Sequence, residues 1–188
     1  MPLTTRCSAI ASAGRCRLSS TRSARVAEFT RPATWEDVKR LAQYLEEAGV
    51  EYALIGGYAL AAHGLLRLTE DIDVLVNPSV ENSRRWIVAL SRLPDGAARE
   101  LAADPDVFAA QKSSAVRIND EITIDVLPSA AGVPWEVLRE YIEQVELDGV
   151  RLRVLSLEGL LKTKTGSRPK DQMDAATILR ALEELGRR

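Results

Sequence analysis

Two aspartates separated by one residue carry the strongest chemical signal in the sequence. Asp71 and Asp73 lie in the run Asp-Ile-Asp-Val-Leu-Val, whose alternation predicts a β-strand. Because side chains two residues apart in a strand point to the same face, we expect both carboxylates on one face, about 6–7 Å apart. Ionised carboxylates at that distance repel each other unless a cation lies between them. Mg²⁺ suits this place, since it binds one or two carboxylates together with water and substrate phosphates.

A third aspartate has the same apolar neighbours later in the chain. Asp125 lies in Ile-Asp-Val, on a strand predicted over residues 122–127. If that strand pairs beside the strand of Asp71 and Asp73, the three carboxylates form one cluster. Such a cluster can hold two metal ions, one that activates an attacking hydroxyl and one that binds the leaving phosphate.

Two glycines precede these aspartates at a predicted junction between a strand and a helix. Gly56 and Gly57 follow the apolar strand of residues 52–55 and precede a short helix of residues 58–63. Glycine lets the backbone turn sharply and approach a ligand with no Cβ in the way. The helix that begins there directs free N–H groups and the positive end of its dipole at the turn, which favours a phosphate.

These motifs together resemble a known superfamily. Residues 53–76, ALIGGYALAAHGLLRLTEDIDVLV, resemble the signature of the nucleotidyltransferase fold that is shared with DNA polymerase β and kanamycin nucleotidyltransferase. Within that superfamily, the pattern Gly-Gly-Tyr-Ala…His-Gly…Arg…Thr-x-Asp-Ile-Asp is most similar to small bacterial proteins of the AbiEii and MNT type. Many of those proteins are toxins of toxin–antitoxin pairs.

The resemblance implies a role for each motif. Gly56 and Gly57 would bind a nucleoside triphosphate, and Asp71 and Asp73 would bind Mg²⁺, or Mn²⁺ in its place. Asp125 would bind a second metal ion or act as the base toward the acceptor hydroxyl. The implied reaction is in-line attack on the α-phosphate with release of pyrophosphate.

Cations cluster near the C-terminus. Three of the five lysines of the chain are Lys162, Lys164 and Lys170, and Arg168 lies among them. A triphosphate carries roughly four negative charges, which two metal ions do not fully neutralise, so we assign these lysines to nucleotide binding. An open alternative is that Lys162 and Lys164 stabilise the C-terminal end of a helix that stops at Gly166.

The segment after that helix permits two interpretations as well. Residues 166–174, GSRPKDQMD, resemble the Arg-Pro-Lys-Asp element found late in AbiEii-like chains. Asp171 and Asp174 would equally stabilise the first turn of a helix that begins at Pro169.

Residues just before the paired aspartates complete the predicted site. Thr69 is assigned to nucleotide binding, and Arg67 either contacts a phosphate or pairs with Asp71 or Glu70. His63 is the only histidine, so a Cys/His zinc site and catalysis by paired histidines are excluded, and we expect a structural role for it. Hydrolysis by a Ser/His/Asp triad is excluded because the sequence has no nucleophile elbow.

The net charge of −2 over 188 residues hides two unlike parts. Residues 1–33 hold six arginines and one acid, a charge of +5, while residues 34–188 hold 19 basic and 26 acidic residues, a charge of −7. The Arg- and Ser-rich first part resembles an organelle transit peptide, but a disordered basic tail or a translated leader is favoured.

The second part, the predicted nucleotidyltransferase domain, is too acidic to have a basic surface for nucleic acid all over it, so that kind of binding is excluded. Cys7 and Cys16 both lie in the first part, so no disulfide is expected in the core.

Helices and strands alternate along the predicted domain. The predicted elements are a helix from Thr34 to Gly49, a strand over 52–55, a helix over 58–63, a strand over 71–76, a helix from Ser79 to about Leu93, a hairpin of 115–118 with 122–127, a helix over 134–144, a hairpin of 145–147 with 150–154, a helix from Ser156 to Gly166, and a helix from Pro169 to about Leu185. This order predicts an α/β (α+β) fold with a mixed sheet flanked by helices. No apolar run is long enough to span a membrane, so we expect a cytoplasmic protein.

Three functions agree with this pattern. The preferred one is a Mg²⁺-dependent nucleotidyltransferase whose acceptor is RNA such as tRNA, or a protein hydroxyl, for instance on a cognate antitoxin. The second is a binding protein on the same fold without turnover, since about 155 residues leave little room for an acceptor domain. The third is aminoglycoside modification, which the acidic domain permits.

Overall fold

Six β-strands form the mixed sheet around which the chain folds. The structure is a computed structural model that describes residues 30–108, 115–166 and 168–187. The strands of the sheet are β1 (Tyr52–Ile55), β2 (Ile72–Val76), β3 (Val116–Asn119), β4 (Thr123–Leu127), β7 (Ile142–Leu147) and β8 (Val150–Leu155). Their order is β3-β4-β2-β1-β8-β7, in which β2 is parallel to β4 and β1 is parallel to β8. A small separate hairpin consists of β5 (Ser129–Ala130) and β6 (Val133–Pro134).

Helices flank this sheet, as the sequence predicted. They are α1 (Trp35–Glu47), α2 (Gly56–Ala62), α3 (Val80–Leu90), α4 (Trp135–Leu138), α5 (Leu157–Lys162) and α6 (Pro169–Leu185), with 3₁₀ segments at Ala97–Ala103 and Arg139–Tyr141. Helix α1 packs against α3 and β8, α2 packs against β2, and α5 packs against α6. The mixed α/β architecture confirms the predicted fold class. No helix in the described ranges is long and apolar enough to cross a membrane.

The helix caps follow the sequence signals. Thr34 and Asp37 form a capping box, in which the Thr34 N–H donates to the Asp37 carboxylate at 2.9 Å. Ser79 and Ser156 cap α3 and α5 by accepting hydrogen bonds from the N–H groups of Asn82 and Gly159. These caps confirm the predicted starts of three helices.

Apolar periodicity explains which faces are buried. In α1, Val38, Leu41 and Leu45 recur at helical spacing and are fully or almost fully buried. In β2, Ile72 and Val74 are buried while Asp73 between them faces the opposite side. Each such large apolar side chain contributes roughly 1.5–3 kcal/mol through burial. This packing fixes the position of the carboxylate-bearing strand.

One predicted helix is too long. Residues 135–141 are helical, as α4 and one 3₁₀ turn, but residues 142–144 belong to strand β7, of which residues 145–147 were predicted as a strand. Strand β7 pairs with β8 through six residue pairs, from Ile142 opposite Leu155 to Leu147 opposite Val150. Cross-strand pairing at the sheet edge therefore outweighs the helical pattern of this segment.

Residues 30–33, which the prediction assigned to the N-terminal segment, contact the predicted domain. Arg31 donates hydrogen bonds to Asp37 and to Glu121, and Ala33 is buried, with its carbonyl accepting from the Tyr58 hydroxyl. Residues 30–33 thus belong to the folded part. The remainder of the predicted N-terminal segment, with both cysteines, lies outside the described residues.

Candidate active site

The parallel pairing of β2 with β4 places two of the predicted carboxylates side by side. Asp73 is directly opposite Asp125 in the register of the two strands. Asp71 immediately precedes β2 and lines the same cavity. The neighbours Ile72 and Ile124 are fully buried on the other side of the sheet. The structure therefore brings Asp71, Asp73 and Asp125 together, as the sequence predicted.

The double glycine is explained first by contacts inside the protein. Gly56 has φ +67°, and a Cβ at this position would lie 1.9 Å from Asp73 Oδ2. A Cβ on Gly57 would lie 2.5 Å from the Cβ of Thr69. Gly56 lines the cavity, whereas Gly57 is buried beneath Thr69 and is not part of the cavity lining. We predicted that both glycines allow a ligand to approach the backbone. In the structure, Asp73 and Thr69 occupy the space that side chains at these two positions would need.

Arg117 on β3 is a site residue that the sequence reasoning missed. It is directly opposite Asp125 in the β3–β4 hairpin. Its Nε donates to Asp125 Oδ1 at 2.8 Å and its Nη2 to Asp125 Oδ2 at 2.7 Å, while Nη2 also donates to Asp71 Oδ2 at 3.3 Å. The predicted hairpin around residues 119–120 contained the necessary signal, because its register pairs these two positions.

The surroundings of Asp73 disfavour the ionised form of its carboxyl group. Burial, followed by the nearby charges of Asp125 and Asp71, raises the pKa of Asp73 to about 6. The positive charges of Lys164 and Arg67 offset part of this increase. Near neutral pH the carboxylate is therefore ionised at a cost, and a cation bound beside it would relieve that cost.

A buried aspartate on α6 holds two cations at the cavity. Lys164 Nζ lies 3.0 Å from Asp174 Oδ2, and Arg67 Nε lies 3.3 Å from Asp174 Oδ1. The three side chains are only 9–16% exposed, so solvent screens these pairs weakly. Asp171, also buried, accepts a hydrogen bond from Arg168 Nε at 2.8 Å. Ion pairs with other segments at Asp174, and a local ion pair at Asp171, therefore add to any effect of the helix dipole.

The carboxylates and the cations line one cavity of about 770 Å³. That volume is within the range of small-molecule sites, roughly 300–1,000 Å³. Of the predicted site residues, it is lined by Gly56, Arg67, Thr69, Asp71, Asp73, Asp125, Lys164 and Lys170. Lys162 is not part of the lining. Its Nζ lies over the ring of Tyr141 instead, 5.0 Å from the ring centroid. His63 bonds the Leu155 carbonyl through Nε2 at 2.8 Å and is also outside the lining.

The donor chemistry of the site fits a hard divalent cation. Asp71, Asp73 and Asp125 offer only carboxylate oxygens, which Mg²⁺ and Mn²⁺ prefer. The pKa of Asp73 is raised first by burial and then by the charges of Asp125 and Asp71, and a bound cation would oppose all three effects. Within the described ranges, no three His, Cys, Asp or Glu side chains already converge as a metal site. A metal ion bound by these carboxylates would have to compete with the pairing of Arg117 with Asp71 and Asp125.

The fold is similar to that of solved nucleotidyltransferase structures. A "putative nucleotidyltransferase" from Thermotoga maritima is 18% identical and aligns with a TM-score of 0.53 over 81% of this chain and 92% of that one. Two further structures align with TM-scores of 0.46. They are an antigenic nucleotidyltransferase-like protein from Paracoccidioides brasiliensis, 18% identical over 80% of this chain and 78% of that one, and the antibiotic-resistance factor ANT(2'')-Ia, 14% identical over 76% and 80%.

Comparisons of sequence add no family. No protein-family model matches the chain, and no curated protein matches its sequence. At 18% identity, the similarity to the Thermotoga maritima protein concerns the fold alone. The chain thus has a nucleotidyltransferase-like fold, with three carboxylates and several cations at one cavity.

Proposed function

We propose that the protein is a Mg²⁺-dependent nucleotidyltransferase, which moves a nucleoside monophosphate group from a nucleoside triphosphate to an acceptor hydroxyl. The observation that carries this proposal is the in-register pairing of Asp73 with Asp125, with Asp71 beside them, in a cavity that also has cationic side chains. Carboxylates of this kind bind divalent ions, and cations bind phosphate oxygens. A metal-bound triphosphate needs both kinds of partner.

Metal ions bound by Asp71, Asp73 and Asp125 would supply activation of the acceptor hydroxyl and stabilisation of the charge that develops on pyrophosphate. The side chains of the protein itself bind and orient the triphosphate. Arg67 and Lys164 are suited to this because Asp174 fixes both of them at the cavity. Positive charge that is already in place needs little reorganisation when the phosphates arrive.

The finer assignment depends on the motifs. The pattern over residues 53–76 and the Arg-Pro-Lys-Asp element support a protein of the AbiEii and MNT type. On that basis we propose the toxin of a toxin–antitoxin pair, active in the cytoplasm, with ATP or another nucleoside triphosphate as donor. Its acceptor would be RNA, such as tRNA, or a protein hydroxyl.

The test is transfer of an α-³²P-labelled nucleoside monophosphate to total RNA or to lysate protein, with full-length protein and Mg²⁺. We expect labelling by the wild type and none by Asp73→Ala or Asp125→Ala. Asp104→Ala is the matched control, because Asp104 is exposed and is not part of the cavity lining. Labelling retained by both site variants would refute the proposal. Metal-dependent nucleotide binding without any transfer would support the alternative, a binding protein on the same fold.

A further inference from the structure

We propose that Arg117 is a resident counter-cation on the carboxylates of Asp71 and Asp125 that would hold a divalent ion, so that metal binding must displace it. This inference depends on the proposed function, because it concerns the metal site of that reaction. It makes Arg117 a residue that sets metal affinity.

The geometry places one nitrogen between the two carboxylates. Arg117 Nη2 is 2.7 Å from Asp125 Oδ2 and 3.3 Å from Asp71 Oδ2, so one nitrogen contacts an oxygen of each carboxylate. A divalent ion held by Asp71 and Asp125 would bind carboxylate oxygens of the same two residues. The guanidinium and such an ion would therefore compete for these carboxylates.

Both oxygens of Asp125 are engaged by this one guanidinium. The two parallel N–H···O bonds, at 2.8 and 2.7 Å, form the bidentate arrangement that makes Arg–carboxylate pairs strong. Asp125 is only 14% exposed, so solvent compensates its charge poorly. In the metal-free protein, Arg117 therefore provides the compensation that a metal ion would otherwise provide.

Arg117 is also able to leave. Its side chain is 57% exposed, and among the described residues its hydrogen bonds go only to Asp125 and Asp71. Displacement thus breaks no other hydrogen bond or ion pair of the guanidinium in the described structure. The freed group remains within a side chain's length of the carboxylates, where it can pair with a phosphate of the bound triphosphate.

The experiment measures binding of Mn²⁺ and Mg²⁺ by calorimetry in the absence of nucleotide, with full-length protein. We expect Arg117→Gln to tighten metal binding roughly tenfold, because the competitor is gone. Arg117→Lys keeps the charge but loses the bidentate pair, so we expect it to tighten binding by a smaller factor. Arg92→Gln is the matched control, since Arg92 is an exposed arginine paired with Glu47 outside the cavity.

Three other results of this experiment would contradict the proposal or the function on which it depends. Unchanged or weaker metal binding by Arg117→Gln would show that Arg117 does not compete, while wild-type metal binding would leave the proposed function intact. If Arg117→Lys binds metal as the wild type does, the positive charge alone weakens metal binding. The bidentate pair with Asp125 would then have no part in the competition. Failure of the wild type and of both variants to bind any divalent ion would instead overturn the metal-dependent function itself.

Discussion

Replacement of Asp73 by asparagine is expected to stabilise the metal-free protein while abolishing metal binding. Asp73 ionises with a pKa of about 6 in the folded protein, against an ordinary value of 3.8. At about 1.4 kcal/mol per pKa unit, this difference corresponds to about 3 kcal/mol as an upper limit. Asparagine has nearly the same shape and no charge, so it avoids this cost.

The sign of the pH dependence follows from the two pKa values. Between them, the folded state holds a proton on Asp73 that the unfolded state has lost, so the free energy of unfolding falls as pH rises. The cost of ionisation is absent well below pH 3.8 and complete well above pH 6. About half of it, roughly 1.5 kcal/mol, should appear between about pH 5 and about pH 8.

The assay is urea unfolding of the wild type and of Asp73→Asn at several pH values in this interval, with a chelator present. We expect the stability advantage of the variant to grow toward high pH, and Asp104→Asn to show no such trend. Addition of Mg²⁺ near pH 8 should then stabilise the wild type and leave Asp73→Asn unchanged, because only the wild type retains the carboxylate ligand. A difference between wild type and variant that is independent of pH, or a less stable variant near pH 8, would refute the reasoning.

Three further substitutions test the rest of the site. Gly56→Ala should lower the free energy of unfolding by roughly 1–3 kcal/mol more than Gly149→Ala does. Both glycines have positive φ, but of the two only Gly56 has a side chain, that of Asp73, within 4 Å of the new Cβ. Equal losses in urea unfolding would contradict this. Lys164→Ala should weaken nucleotide binding by roughly tenfold in calorimetry, as expected for loss of one charge-assisted bond, whereas Lys162→Ala should leave it unchanged because Lys162 is outside the cavity. Asp174→Asn should weaken nucleotide binding and also lower the free energy of unfolding by roughly 1–3 kcal/mol, since it leaves two cations without their carboxylate; unaltered stability would count against the ion-pair network.

The carboxylate cluster was predictable because its signals are local and periodic. Alternation along residues 71–76 predicted the strand of Asp73, and the same alternation around Asp125 predicted its partner. Only the pairing of the two strands remained conditional, and the structure shows that they pair, in parallel. The mixed sheet flanked by helices followed from the order of these elements.

The cationic side of the site depends on tertiary contacts that no local pattern contains. Lys162 and Lys164 are two residues apart, yet only Lys164 reaches the cavity, because α5 ends at Lys162 and the chain turns after it. The partner of Lys164 is Asp174 on α6, which also pairs with Arg67 from a distant loop. Such pairs depend on how helices pack.

The wrong end of the helix predicted over residues 134–144 has a related cause. The prediction extended the helix through residues 142–144, but each of these three residues has a partner on β8. Backbone hydrogen bonds in a sheet depend on a neighbour that the local sequence does not contain. The pattern of a single segment could not distinguish the two outcomes.

The order of the residues along the chain determines which charges of the cavity are synthesised first. Asp71, Asp73, Asp125 and Arg117 all lie on or beside β2, β3 and β4, and β4 pairs with both of the others. Lys164, Arg168 and Lys170 come later in the chain than all of these residues. During synthesis from the N-terminus, the three carboxylates are therefore made before these cations. Arg67 and Arg117 are the cavity cations made by the time Lys164 is added, so the carboxylates are not left without positive charge.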